Sequence, residues 1–250
     1  MSSVRVPPSA DRPVPKALAF DVFGTVVDWR TSIARESAAF LAKLGRKDVD
    51  AAAFADAWRF RYIETMHAYR QSGRPFTTLD VLHREMLEDT LCAHGIDPAT
   101  LDDALLADWN RAWHRLDPWP DAVAGLTRLK ARFPIVTLSN GNIELMLAMA
   151  RHGGLPWDAL LGAEVTRAYK PDPQAYLGTA EILGLAPDQL CLVAAHHSDL
   201  AAARACGLLT AYVHRPLECG GRPAPDADFR QDWDWAVESL TELADLHGCV

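Results

Sequence analysis

Four short apolar runs constrain this chain more than any other feature. Ala17-Leu18-Ala19-Phe20 ends at Asp21, with Gly24 and Thr25 close behind. Ile135-Val136-Thr137-Leu138 ends at Ser139-Asn140-Gly141, and Leu190-Cys191-Leu192-Val193-Ala194-Ala195 ends at His196-His197-Ser198-Asp199. Leu209-Thr210-Ala211-Tyr212-Val213 is a weaker fourth. Apolar runs of this length, stopped by turn-forming residues, read as buried strands. Helical patterns lie between them, which predicts a parallel sheet wrapped by helices. Ligands of such sheets sit beyond the carboxyl ends of the strands, and the three polar clusters fall there.

The stretch between the first two runs is too long for one crossover and is helical in pattern. Helices are expected over Ser32 to Leu44, Ala51 to Tyr69, Leu79 to His94 and Leu101 to His114. Asp50, Thr78 and Thr100 are the expected N-caps, and Gly45 and Gly95 the expected stops. Leu116-Asp117-Pro118-Trp119-Pro120 reads as a linker. The expected organisation is an α/β, Rossmann-like parallel-sheet core (17-27 and 116-250) with an inserted all-helical cap (28-115). A disordered lead-in covers 1-16.

With 250 residues, 49% of them hydrophobic, the chain can bury a substantial core. Its formal net charge is -8 and no Lys/Arg cluster runs along it, so neither nucleic acid nor an anionic membrane is an expected partner. Five cysteines without a C-x-x-C spacing argue against a zinc site or a disulfide framework. The N-terminus lacks an apolar h-region and no run is long enough to span a bilayer. The expectation is a soluble, cytoplasmic protein.

Asp21, at the end of a buried strand, is well placed as a nucleophile. Covalent catalysis by a carboxylate needs a nearby cation and donors aimed at the ester carbonyl. Lys170, in Tyr169-Lys170-Pro171-Asp172-Pro173, can supply the cation, and Ser139 and Asn140 with the amides around Gly141 can supply donors. Asp199 follows the third strand. No one of these is decisive; their order and strand-end positions together carry the signal.

Phe20-Asp21-Val22-Phe23-Gly24-Thr25, then Ser139-Asn140-Gly141, Lys170-Pro171-Asp172-Pro173 and a strand ending near Asp199 resemble the four motifs of the haloacid dehalogenase superfamily. The resemblance runs from about Ala17 to Val213. Phosphatases of that superfamily carry a second Asp where Phe23 stands here, and acidic residues that hold magnesium after the last strand. Here that stretch offers Asp199 alone, too few oxygen ligands for a hard cation. Attack on carbon is therefore favoured over phosphoryl transfer, with no metal and no cofactor expected. The sequence is similar to the L-2-haloacid dehalogenases. Phe23, Asn140 and Tyr176 stand where those enzymes have an aromatic, an Asn and a Tyr, and Trp58-Arg59 matches a Trp-Arg pair on their cap.

That resemblance implies a mechanism. Ser139 and nearby amides, with Lys170 as a further candidate, hold the carboxylate of a short 2-haloacid, Asp21 displaces halide toward Arg59 and Asn140, and water then attacks the resulting Asp21 ester at its carboxyl carbon. Thr25 orients Asp21, Lys170 and Asp199 position or activate the water, and Tyr176 supports Lys170 or the substrate. Family members have Ser-x-Asn where Ala194 and His196 stand here. His196 then serves as a hydrogen-bond donor, as a base with Asp199, or as a structural residue, and the preferred halogen, fluoride included, is open. Trp58, Trp109, Trp113, Trp157, Trp233 and Trp235 are expected in packing, with Trp157 the best candidate among them for the pocket. His197 and the histidines at 67, 83, 94, 114, 152, 214 and 247 are expected to be structural or exposed. A homodimer is the assembly the resemblance suggests. The competing readings are a phosphatase or phosphonatase of the same fold, and a catalytically silent binding protein.

Overall fold

The computed structural model describes residues 14–223 and 225–249. Most of the expected disordered lead-in lies outside the described residues; at its end, the Lys16 amide already bonds the Gln189 carbonyl at 2.7 Å. The chain then enters β1 (Ala17–Phe20), buried along its whole length. β2 (Val27–Asp28) pairs antiparallel with β3 (Asp117–Pro118). The expected linker is thus half of a two-stranded ribbon.

Between the ribbon strands lie α1 (Trp29–Lys43), α2 (Ala51–Gln71), α3 (Leu79–Ala93) and α4 (Asp103–Asn110). The Asp28 and Asp50 carboxylates cap the first two, accepting the Thr31 and Ala53 amides at 3.0 and 2.7 Å. Thr78 precedes α3 without a side-chain cap bond. Thr100 is not a cap: it closes a 3₁₀ turn, and Asp102 caps α4 by accepting the Ala104 amide at 2.7 Å. A carboxylate accepts from these orphan amides more strongly than a hydroxyl does. The last expected helix breaks after Asn110 into a 3₁₀ segment, Arg111–Arg115. Gly45 and Gly95 stop their helices with φ of 71° and 69°.

After the ribbon come α5 (Ala122–Lys130), β4 (Ile135–Thr137), α6 (Ile143–Gly153), α7 (Ala163–Thr166) and α8 (Pro173–Ile182). The chain ends with β5 (Leu190–Ala194), α9 (His197–Ala205), β6 (Leu209–Val213), β7 (Trp235–Val237) and α10 (Leu240–Leu246). Five parallel strands are ordered β4-β1-β5-β6-β7. The edge strand β7 was not expected from sequence.

Alternate residues of β1 serve opposite faces, as the two-residue period of a strand requires. Leu18 and Phe20 join a cluster with Leu126, Leu145 and Leu240 of α5, α6 and α10. Ala17 and Ala19 join another with Tyr176 and Leu200 of α8 and α9. From β1 the chain proceeds to β4 on one side, and from β5 to β6 on the other. The carboxyl ends of β1 and β5 therefore flank a topological switch point, where an open α/β sheet leaves a crevice. No described helix is long and apolar enough to cross a membrane.

Candidate active site

The crevice opens into a cavity of about 640 Å³. Asp21, Lys170, His196 and Asp199 line its sheet side; Arg59, Tyr62 and His83 from α2 and α3 line the other.

Asp21 is buried, with its two carboxylate oxygens in different company. Oδ1 accepts from Lys170 Nζ at 2.9 Å. Oδ2 accepts from the Thr25 hydroxyl at 2.7 Å and lies 3.1 Å from His196 Nδ1. Burial alone would raise this carboxyl's pKa. The Lys170 ammonium and the His196 ring overcome that and hold it well below the usual carboxylate range, so Asp21 is ionised at neutral pH. Lys170 also reaches Asp199 Oδ2 at 2.5 Å, and the Tyr176 hydroxyl donates to Asp199 Oδ1 at 2.7 Å. Burial would lower the lysine, but the Asp199 and Asp21 carboxylates raise it further, and it stays an ammonium.

Asn140 works on the backbone around Lys170. Its side-chain oxygen accepts the Lys170 amide at 2.8 Å, and its nitrogen donates to the Tyr62 hydroxyl at 2.5 Å. Arg59 is held by ring faces, its guanidinium carbon 5.0 Å from the Tyr62 centroid and 5.7 Å from that of Trp29. A cation held this way keeps its N–H donors for a ligand.

Two expected substrate contacts are not lining residues. The Ser139 hydroxyl is buried and accepts the Gly141 amide at 3.1 Å, which shapes the loop. Trp157 packs on Phe20 with centroids 5.4 Å apart, behind the cavity. In their place the wall takes residues assigned to packing or the surface: Trp58, Trp113 and His83. Phe23 meets the Trp113 ring edge-on at 6.0 Å, and His83 stacks on Trp113 at 4.5 Å. Burial pushes the His83 pKa down to about 3, so the ring is neutral, and its Nδ1 has no hydrogen-bond partner.

Sequence reasoning also missed Glu218, in the loop after β6. It accepts the Trp29 indole N–H at 3.0 Å and lies 2.9 Å from His196 Nε2. The only signal was position: that loop leaves the carboxyl end of a parallel strand. Gly24 makes room for Glu218. Its φ is +85°, and a Cβ there would lie 2.1 Å from Glu218 Oε1. Gly24→Ala is expected to cost about 1–3 kcal/mol through backbone strain alone, read as a fall in midpoint on thermal or urea unfolding. An unchanged midpoint would show that the loop yields freely.

The model of the haloacid dehalogenase-like hydrolases matches residues 15–207. The chain belongs to that family. This hydrolase is 32% identical to an (S)-2-haloacid dehalogenase of Xanthobacter autotrophicus, over 80% of this chain and 75% of the relative. A solved structure of a defluorinating L-2-haloacid dehalogenase is 50% identical, with a TM-score of 0.90 over 96% of this chain and 97% of that one. The Xanthobacter autotrophicus L-2-haloacid dehalogenase with chloropropionic acid covalently bound is 25% identical, with a TM-score of 0.76 over 94% and 99%.

Proposed function

We propose that this hydrolase converts short 2-haloalkanoic acids, of the haloacetate or L-2-halopropionate type, to 2-hydroxy acids through an ester of Asp21, without a metal. The observation that carries the reading is the Lys170 ammonium between Asp21 and Asp199, 2.9 and 2.5 Å from them. A divalent cation would serve two carboxylates so placed; here the single positive charge of Lys170 bridges them and offsets part of their charge. Phe23, where a phosphatase would need its second acid, faces an aromatic wall. No proton donor stands there for a phosphoester leaving group.

Displacement at carbon needs an ionised nucleophile and a place for the departing anion, both complementary to charge that builds in the transition state. Asp21 supplies the first. Arg59 supplies the second from the far side of the cavity, where aromatic groups exclude water and strengthen the attraction. The relative with covalently bound chloropropionic acid supports an ester intermediate. The test is halide release from chloroacetate and L-2-chloropropionate in the presence of EDTA. Undiminished release supports the proposal; release only on adding magnesium, with turnover of p-nitrophenyl phosphate, would favour a phosphatase.

Fluoride belongs among the leaving groups of this proposal, given the 50% identity to a defluorinating enzyme. Fluoride is the halide that accepts hydrogen bonds most strongly, and His83 is a neutral, buried imidazole on the Arg59 side of the cavity. His83→Phe keeps the stack on Trp113 but removes the donor. Fluoroacetate turnover is expected to fall about tenfold relative to chloroacetate, the size of one buried neutral hydrogen bond. Equal losses on both substrates would assign His83 to packing alone.

A further inference from the structure

The asymmetric surroundings of the Asp21 carboxylate distinguish its two oxygens. The Thr25 oxygen accepts the Ala195 amide at 2.8 Å, which leaves its one proton for Asp21 Oδ2 at 2.7 Å. His196 brings Nδ1 to the same Oδ2 at 3.1 Å, while Glu218 engages Nε2 at 2.9 Å and is itself anchored by Trp29 at 3.0 Å. The ammonium sits on the other oxygen, Oδ1, at 2.9 Å.

An imidazole between two carboxylates carries both protons. Burial disfavours the charged ring, but Glu218 and Asp21 more than offset this, and its pKa is raised well above the ordinary histidine value. The groups whose charges bear on this cluster are Asp21, Lys170, Asp199, Glu218, Arg59, His197 and Cys219. A doubly protonated ring has no free lone pair, so in the resting enzyme His196 is a donor and not a base.

We propose that Oδ1 of Asp21 is the attacking oxygen and that Oδ2 becomes the ester carbonyl, with Thr25 and His196 forming the oxyanion site for its hydrolysis and Glu218 positioning His196. This rests on the Asp21-ester reading above. In the first step an Oδ1 electron pair forms the bond to the substrate carbon, and halide leaves with the carbon–halogen pair. In the second, water attacks the Asp21 carboxyl carbon and the carbonyl pair moves onto Oδ2, facing the Thr25 hydroxyl and the His196 N–H. Asp199 takes one water proton. The pair on Oδ2 then returns and the carboxyl carbon–Oδ1 bond breaks. Oδ1 leaves in the hydroxy acid beside Lys170 and receives the proton from Asp199. The second water proton is released as Asp21 re-ionises. Removing one oxyanion donor costs such reactions about 10²–10³-fold.

The experiment is single-turnover quench of the full chain with chloroacetate, following halide release and the mass of the protein with one carboxymethyl group added. In His196→Ala, halide release of one equivalent per site is expected to precede slow turnover. The ester should accumulate and discharge about 10²–10³-fold more slowly than in wild type. His196→Gln, which restores an N–H donor, should recover part of the loss. In wild type, discharge should fall as pH rises through the His196 pKa, because the donor proton is lost there. Glu218→Gln should move that fall to lower pH, a displacement that a merely structural Glu218 would not produce. Discharge at the wild-type rate in His196→Ala would overturn the proposal. So would discharge that rises with pH across the same range, the mark of a base, or an unmoved profile in folded Glu218→Gln. If no ester forms in any variant, and water-derived ¹⁸O never enters Asp21 in wild type, the ester reading itself is overturned and this proposal with it.

Discussion

Asp21→Asn is expected to lower halide release by about 10⁴-fold or more while leaving the fold in place. The amide matches the carboxylate in shape, so the Thr25 contact and the packing of β1 survive, but the charge that the proposed mechanism directs at carbon is gone. Loss of a nucleophile commonly costs 10⁴–10⁶-fold. Halide measured over extended incubation, with thermal unfolding as a control, checks the expectation. Release within tenfold of wild type would remove Asp21 from the chemistry and reopen the reading of a silent binding protein. A slow recovery of activity accompanied by a mass gain of one unit would mark hydrolysis of the amide back to Asp.

Lys170→Met carries the second large effect, on both activity and stability. The side chain is only 9% exposed, as is that of Asp21, and it faces two carboxylates. Removing one partner of a buried ionic cluster leaves its charges uncompensated, at a cost of about 3–5 kcal/mol. The direction with pH follows from Asp21. Its folded pKa is depressed, so the stability it contributes is present above its unfolded value of about 4 and is lost as pH falls through the folded one. Without the ammonium, burial is offset only by the His196 ring and the folded pKa rises. The variant should therefore lose activity on acidification at a higher pH than wild type does, besides an overall drop of about 10³-fold. Urea unfolding at several pH values together with a pH–rate profile checks both parts. An unchanged acid limb would mean that His196 and Thr25 hold the carboxylate ionised without Lys170.

The parts of the molecule that were legible in the sequence are those with a local cause. β1, β4, β5 and β6 are apolar runs because both faces of a parallel sheet are covered, and each announces itself within five residues. Asp21, Lys170, Asn140 and Asp199 stand where those strands or their loops end, and the structure brings them to one cavity. β7 escaped because a three-residue edge strand, Trp235–Val237, is too short to show a period. Neither Trp157 nor Ser139 lines the cavity, and residue type alone does not say which way a side chain turns. One packs on Phe20 and the other spends its hydroxyl on the loop beside it. His83 and Glu218 lack any flanking pattern. Their roles come from the packing of α3 against α2 and α4, which sets His83 on Trp113, and from the path of the loop after β6, both tertiary effects. Even so, the last strand-end loop was open to the argument that singled out the first three.

The β2–β3 ribbon bears on ancestry. The helices α1 to α4 follow Val27 and Asp28 and precede Asp117 and Pro118, and these two pairs are direct neighbours across the ribbon. A segment whose ends already touch can be gained, lost or exchanged with little disturbance to the host around it. Asp21, Lys170, Asp199, His196 and Glu218 lie outside those bounds; Arg59, Tyr62 and His83 lie within them. Descent can therefore revise the Arg59 wall of the cavity while the Asp21 cluster beneath it is inherited unaltered.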